Sequence, residues 1–98
     1  MKIENILAKL SNNQHLLQKY GVKDIRLFGS IARGDADAGS DVDVLVEFDP
    51  TARIGLFEFS RLRHELSQLF GCKVDLVTPD ALHTEMKEEI LKEAIRAA

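Results

Sequence analysis

The apolar positions change period along the chain, and each change predicts an element. Ile3, Ile6, Leu7, Leu10, Leu17 and Tyr20 fall near one face at helical spacing. The polar run Ser11-Asn12-Asn13-Gln14 interrupts them. Ser11 followed three residues later by Gln14 has the form of a capping box, which predicts a second short helix from that point. Gly21 is placed to end it. Alternation then replaces the helical period. Residues 24–28 form the first predicted strand, with Ile25 and Leu27 between polar neighbours and a stop at Gly29-Ser30. Residues 41–48 form the second, rich in β-branched side chains, with Pro50 just beyond. Residues 73–77 form the third, stopped by Thr78-Pro79. Between the second and third, Phe59, Leu62, Leu66, Leu69 and Phe70 mark the buried stripe of a helix that Gly71 stops. The last segment also reads as helix. Thr78 is its cap, Pro79 lies in its first turn, and Leu82, Met86, Ile90, Leu91, Ala94 and Ile95 form its apolar face, with room for a break near His83-Thr84. Phe57 with Phe59, and Met86 with Ile90, are read as core positions. Any exposed remainder would serve a partner.

The predicted order is therefore helices, strand, short connector, strand, helix, strand, helix. Residues 31–40 are too few for a parallel crossover, so the first two strands pair antiparallel. The full helix before the third strand suits a parallel crossover. The expected fold is mixed α/β, one domain over residues 1–98.

Composition narrows the possibilities. Lys plus Arg is 13 and Asp plus Glu is 16, a net charge of −3. That balance makes no general case for binding nucleic acid or an anionic membrane. One cysteine, Cys72, excludes an internal disulfide framework and fits a reducing compartment. No apolar stretch approaches the roughly 20 residues that span a bilayer, and Glu4 and Lys9 break the opening where a signal peptide needs apolar residues. The expected location is the cytoplasm. The three histidines are scattered, and none pairs with Cys72 at zinc-ligand spacing.

The chemistry concentrates in a few residues. Asp41 and Asp43 are two apart in a predicted strand, so they share a face, about 6.6 Å apart along the backbone. Val42, Val44, Val46 and Phe48 take the opposite face. Two such carboxylates resist joint ionisation unless a cation lies between them, and hard oxygen ligands favour magnesium. An Asp-x-Asp at a strand edge can equally be a solvated turn. Gly29-Ser30, ending the first strand before helix-compatible Ile31-Ala32-Arg33, offers backbone N–H groups, a hydroxyl and room for close approach, which suits phosphate. Ser30 as a plain helix cap is the competing reading. Antiparallel pairing brings the Gly29 end of the first strand against the Asp41 end of the second. Asp75, early in the third strand, can lie beside Asp43 on the same face as a further metal ligand or a general base. Arg33 could neutralise phosphate charge or pair with Asp35 or Asp37. Ser40 could contact a nucleotide or orient the Asp41 backbone. A phosphate cradle with three carboxylates suggests in-line phosphoryl or nucleotidyl transfer with two metals. The Walker-type loop is absent from the sequence.

Gly29-Ser30, ten residues, then Asp41-Val42-Asp43 resembles the nucleotidyltransferase signature of the DNA polymerase β-like superfamily. The longer run from Leu27 through Asp35, then Ser40 through Phe48, with Lys73 through Pro79 and Glu89 through Ala94, resembles the minimal nucleotidyltransferase family over nearly the whole chain. The resemblance implies a small mixed sheet flanked by helices. It implies ATP as donor, with Mg2+ at a two-metal site. It implies that Gly29 and Ser30, helped by Arg33 and Ser40, hold the nucleotide. Asp41, Asp43 and Asp75 would hold the metals, and Asp75 would also activate the acceptor hydroxyl. It further implies an antitoxin whose partner is a HEPN-type ribonuclease toxin, silenced by transfer of AMP to a tyrosine. An antitoxin that acts by binding alone is the alternative. Transfer to a small molecule or an RNA end would usually need further domains. Relatives often carry a tyrosine near the end of the chain, where this sequence has Arg96-Ala97-Ala98.

Overall fold

The computed structural model describes residues 2–37 and 39–97. Ala98 of the closing tail lies outside the described residues. The elements are α1 (Ile3–Ser11), α2 (Gln14–Lys19), β1 (Val22–Phe28), α3 (Ser30–Arg33), β2 (Val42–Phe48), α4 (Leu56–Phe70), β3 (Val74–Val77), α5 (Thr84–Glu93) and β4 (Ile95–Arg96), with a 3-10 turn at Pro79–Ala81. The sheet order is β3-β2-β1-β4. β1 runs antiparallel to β2 and to β4, and β2 runs parallel to β3. This is the mixed α/β sheet the sequence implied, with the expected directions for the first three strands.

The hydrophobic pattern places the core on one face of that sheet. Ile25 and Leu27 of β1, Val42, Val44 and Val46 of β2, and Val74 and Leu76 of β3 are buried there. Ile6 and Leu10 of α1, Leu17 of α2, and Leu62, Leu66 and Phe70 of α4 close over them in one cluster, with Tyr20. α4 is framed as its sequence requires. At its start Glu58 accepts a hydrogen bond from the Gly55 N–H at 3.1 Å. At its end Gly71 takes the left-handed conformation, φ 73°, and its N–H bonds the Ser67 carbonyl at 2.9 Å. Phe48 meets Phe59 edge-on, ring centroids 6.4 Å apart.

Five local expectations are corrected. Ser11 does not cap α2: it closes α1, and Asn13 at the start of α2 makes no side-chain cap but turns back to bond the Lys9 carbonyl at 2.8 Å. Thr78 precedes only the 3-10 turn, and the helix proper starts at Thr84 behind His83, so the break falls where the sequence left room for it. Ala94 and Ile95 are not helical. Ala94 ends α5 and Ile95 enters β4, where Leu27 pairs with Ile95 and Arg26 with Arg96. Phe57 is 84% exposed and so outside the core, because residues two apart cannot share a helix face and Phe59 takes the inward one. Met86, 50% exposed, and Ile90, half-buried, are likewise outside the core, because α5 buries no residue at all. Among the described residues no helix is long and apolar enough to cross a membrane.

Candidate active site

The burial of Val42, Val44 and Val46 fixes the alternation of β2, so Asp43, Leu45 and Glu47 take the face away from the core. Asp41 sits one residue before the strand rather than within it. Its neighbour Val42 donates its N–H to the Lys73 carbonyl at 3.0 Å, which ties this end of β2 to the start of β3. In the resulting register Asp43 pairs with Asp75 on one side and with Phe28, the residue before Gly29, on the other. Paired residues of neighbouring strands point the same way, so Asp43 and Asp75 share a face. Asp41 and Asp75 are exposed and Asp43 is half-buried.

Gly29 forms the turn out of β1, with φ 71° and ψ −146°. A Cβ there would run into the Asp43 carboxylate, so the missing side chain is what lets the backbone turn and the carboxylate lie against each other. The Gly29 carbonyl accepts the N–H groups of Ala32 and Arg33, both at 3.1 Å. Ser30 is the first residue of α3 and makes no cap, so the capping reading of Ser30 fails. The first-turn amides of Ser30 and Ile31 have no carbonyl of their own helix to bond. Ile31 is buried and anchors α3 to the core.

Electrostatics link the three acids. Burial pushes the Asp43 carboxyl above its usual range, the negative charges of Asp75 and Asp41 push it the same way, and the Arg33 guanidinium opposes them. Arg33 itself is half-exposed and lies 3.3 Å from Asp35 and 3.7 Å from Glu93 at the end of α5. The surface pairing with Asp35 is therefore present; Asp37 is engaged elsewhere. Ser40 is bound into a turn with Asp37: its hydroxyl donates to the Asp37 carboxylate at 3.1 Å and accepts the Asp37 N–H at 3.0 Å. Gly39 N–H donates to the same carboxylate at 2.9 Å. Together these bonds hold Asp37 below the usual carboxylate range and shape the approach to Asp41.

Would these residues suit a metal? The donors are all hard oxygens, and the mutual repulsion felt at Asp43 is what a divalent cation relieves. Among the described residues no three His, Cys, Asp or Glu side chains are gathered closely enough to hold an ion unaided. Magnesium commonly takes one or two carboxylates and completes its shell with water and substrate phosphates, so the set fits a cation that arrives with a nucleotide.

Other groups near the site gave no motif in the sequence. Glu93 reaches Arg33 from a distant element, and only the fold brings them together. Asp24 in β1 lies between two guanidinium groups, Arg26 at 2.8 Å and Arg96 of β4 at 3.2 Å. A cavity of 460 Å³ lies between Leu45, Arg26 and the α5 residues Lys87 and Leu91.

Residues 11–97 match the family model described as a nucleotidyltransferase domain. A protein of Methanocaldococcus jannaschii, provisionally named a protein adenylyltransferase, is 40% identical over 80 residues, 82% of this chain and 84% of its own. The protein adenylyltransferase MntA of Thermococcus cleftensis is 36% identical over 94 residues, 96% of this chain and 91% of its own. A solved structure provisionally described as a minimal nucleotidyltransferase has TM-score 0.82 and 36% identity, covering 97% of this chain and 95% of that one. Two further structures share the fold at lower identity. One is a toxin–antitoxin with AMP-PNP, TM-score 0.74 at 21% identity, covering 94% of this chain and 72% of that one. The other is a tri-AMPylated Shewanella oneidensis HEPN toxin with its MNT antitoxin, TM-score 0.67 at 18% identity, covering 95% of this chain and 71% of that one. The family match defines a nucleotide-handling class. The chain belongs to the nucleotidyltransferase family, in its minimal branch.

Proposed function

We propose that this protein transfers AMP from ATP to a tyrosine hydroxyl of a HEPN-type ribonuclease toxin and so acts as its antitoxin. The observation that carries the reading is the register that sets Asp43 between Asp75 and the Gly29 turn. Relatives that bear the protein adenylyltransferase name, and the HEPN toxin complex that shares the fold, supply the acceptor class.

Each residue then has a task. The Gly29 and Ser30 backbone, beside the Asp43 carboxylate, receives the phosphate chain. Arg33 lends positive charge beside it. Asp41 and Asp43 would hold magnesium, with Asp75 completing the set. The metal, when bound, neutralises charge on the phosphates and polarises the transferred group. Asp75, the exposed member across β2 from the glycine turn, takes the proton from the incoming hydroxyl as its oxygen bonds to the α-phosphorus. The bond from that phosphorus to the pyrophosphate oxygen breaks on the opposite side. Ser40 acts indirectly, by holding the turn that leads into Asp41.

The test is co-expression with the partner toxin. The toxin should gain the mass of one or more AMP units on tyrosine, and Asp41→Asn with Asp43→Asn should abolish the gain. Full modification by the double variant would overturn the reading. Neutralisation by binding alone is favoured by one observation, the exposed Leu56 and Phe57, at 79% and 84%, at the start of α4. In that case the Asn variants would protect cells as well as the wild type at equal expression.

A further inference from the structure

Glu93 has no place in the mechanism above, yet it reaches the phosphate side of the site. It is the last residue of α5, and its carboxylate lies 3.7 Å from Arg33 Nη1. Arg33 Nε donates to the Asp35 carboxylate at 3.3 Å. Two of the three guanidinium nitrogens are therefore held, and Nη2 has no carboxylate partner among the described residues. A guanidinium is planar, so fixing two of its nitrogens fixes the direction of the third. The Arg33 charge is felt at the Asp43 carboxylate, so this ordered group stands near the acids.

The fold delivers Glu93 from a particular side. Ala94 ends α5, its N–H bonded to the Ile90 carbonyl at 2.7 Å, and the chain turns into extended backbone. Ile95 then pairs with Leu27 and Arg96 with Arg26, and the Ala97 N–H bonds the Ile25 carbonyl at 2.8 Å. β4 is thus seated on the stretch of β1 that leads into Gly29 and α3. The sheet order β3-β2-β1-β4 sets it at the opposite edge from Asp75. Glu93 accordingly approaches from the flank of the Gly29 turn, where the leaving phosphates belong, and not from the flank of the acceptor hydroxyl.

Stability does not explain the pair. Both side chains are half-exposed, and an exposed ion pair adds little to folding. Its effect falls instead on the freedom of Arg33. A flexible cation loses affinity for phosphate because binding must first immobilise it, and a side chain already ordered avoids that loss. Resting on the nucleotidyl-transfer reading, we propose that Glu93 is a positioning residue: with Asp35 it orders Arg33 so that the remaining guanidinium nitrogen meets the donor phosphates, while Glu93 itself touches neither nucleotide, metal nor acceptor. Arg33 holds the phosphates before and during transfer alike, so losing this order should appear in KM and not in kcat.

The test measures AMP transfer to the toxin against ATP concentration, and binding of magnesium tripolyphosphate to the full chain by calorimetry. Glu93→Gln should raise KM for ATP about fivefold, weaken tripolyphosphate by about the same factor, and leave kcat within about twofold. Its Tm should stay within about 3 °C of wild type. Arg33→Gln should raise KM further, and adding Glu93→Gln to it should change nothing more, because the two act as one unit. The proposal is overturned if Glu93→Gln leaves KM unmoved, or lowers it, as removal of a carboxylate that merely competes with phosphate would. It is also overturned if kcat falls while KM holds, if the loss of affinity comes with a larger fall in Tm, if Glu93→Gln keeps its full effect beside Arg33→Gln, or if tripolyphosphate does not bind. Glu93-dependent tripolyphosphate binding without AMP transfer would sink the functional reading alone. Transfer indifferent to Glu93 would sink this inference alone.

Discussion

The two faces of the sheet are built to opposite rules. On the inner face Ile25, Leu27, Val42, Val44 and Val46 are all fully buried, and three helices seal them. On the outer face β1, β2 and β3 carry Arg26, Asp43, Glu47 and Asp75, and the 3-10 turn and α5, a helix with no buried residue, lie over part of it. Neighbours in one strand therefore have unrelated duties. Val42 and Val44 hold the fold, and Asp43 between them lies on the face away from the core, beside Asp75 and the Gly29 turn. Folding stability and activity should accordingly respond to different substitutions, even one residue apart.

The sharpest way to break that division is Leu27→Ala on the inner face. It should cost about 2–5 kcal/mol and lower Tm by more than about 8 °C, read by thermal unfolding. On the outer face Asp43→Asn should cut AMP transfer more than about a hundredfold while leaving the far-UV spectrum unchanged. Its stability effect has the opposite sign to Leu27→Ala. The raised Asp43 pKa means the folded protein binds that proton more readily than the unfolded chain, so ionisation destabilises the fold as pH rises through the carboxylate range. Without divalent cation the Asn variant should thus melt higher than wild type at pH 7, and the gain should fade as the pH falls below that range. A lower Tm at pH 7 would refute the electrostatic account. Gly29→Ala joins the two faces' concerns. It forces a side chain into a left-handed conformation and against Asp43, at about 1–3 kcal/mol, so Tm and transfer should fall together. The smallest effect belongs to Arg96→Ala. It removes one of two cations at Asp24 and should cost about 0.5–1 kcal/mol, since Arg96 is mostly exposed.

The inner face was largely legible in the sequence, because burial imposes a period and the valines of β2 obey it without exception. The same alternation assigned Asp43 to the outer face, and the connector length gave the antiparallel pairing that brings Gly29 to it. What escaped were contacts that only the closed fold creates. Ile95 continues the apolar period of α5, so nothing local separates it from the helix. Pairing with Leu27 is what converts it to strand. Phe57 is apolar, but two residues before Phe59 it falls on another side of α4, and helix geometry outranks apolarity there. Ser11 and Gln14 fit a capping pattern, but α1 runs on through Ser11, and α2 starts behind Asn13 with no side-chain cap. The groove under α5 draws on Arg26, Leu45 and Lys87, which are far apart in the chain and form no motif.

The Asp24 arrangement carries a consequence for ionic strength. β4 has two residues, both exposed, so little apolar contact fastens it to β1. Its side-chain attachment is the pairing of Arg96 with Asp24, reinforced on the other carboxylate oxygen by Arg26. Mobile ions screen exposed charges over about 8 Å at physiological concentration. Added salt should therefore loosen this edge of the sheet while the packed interior, indifferent to screening, stays closed.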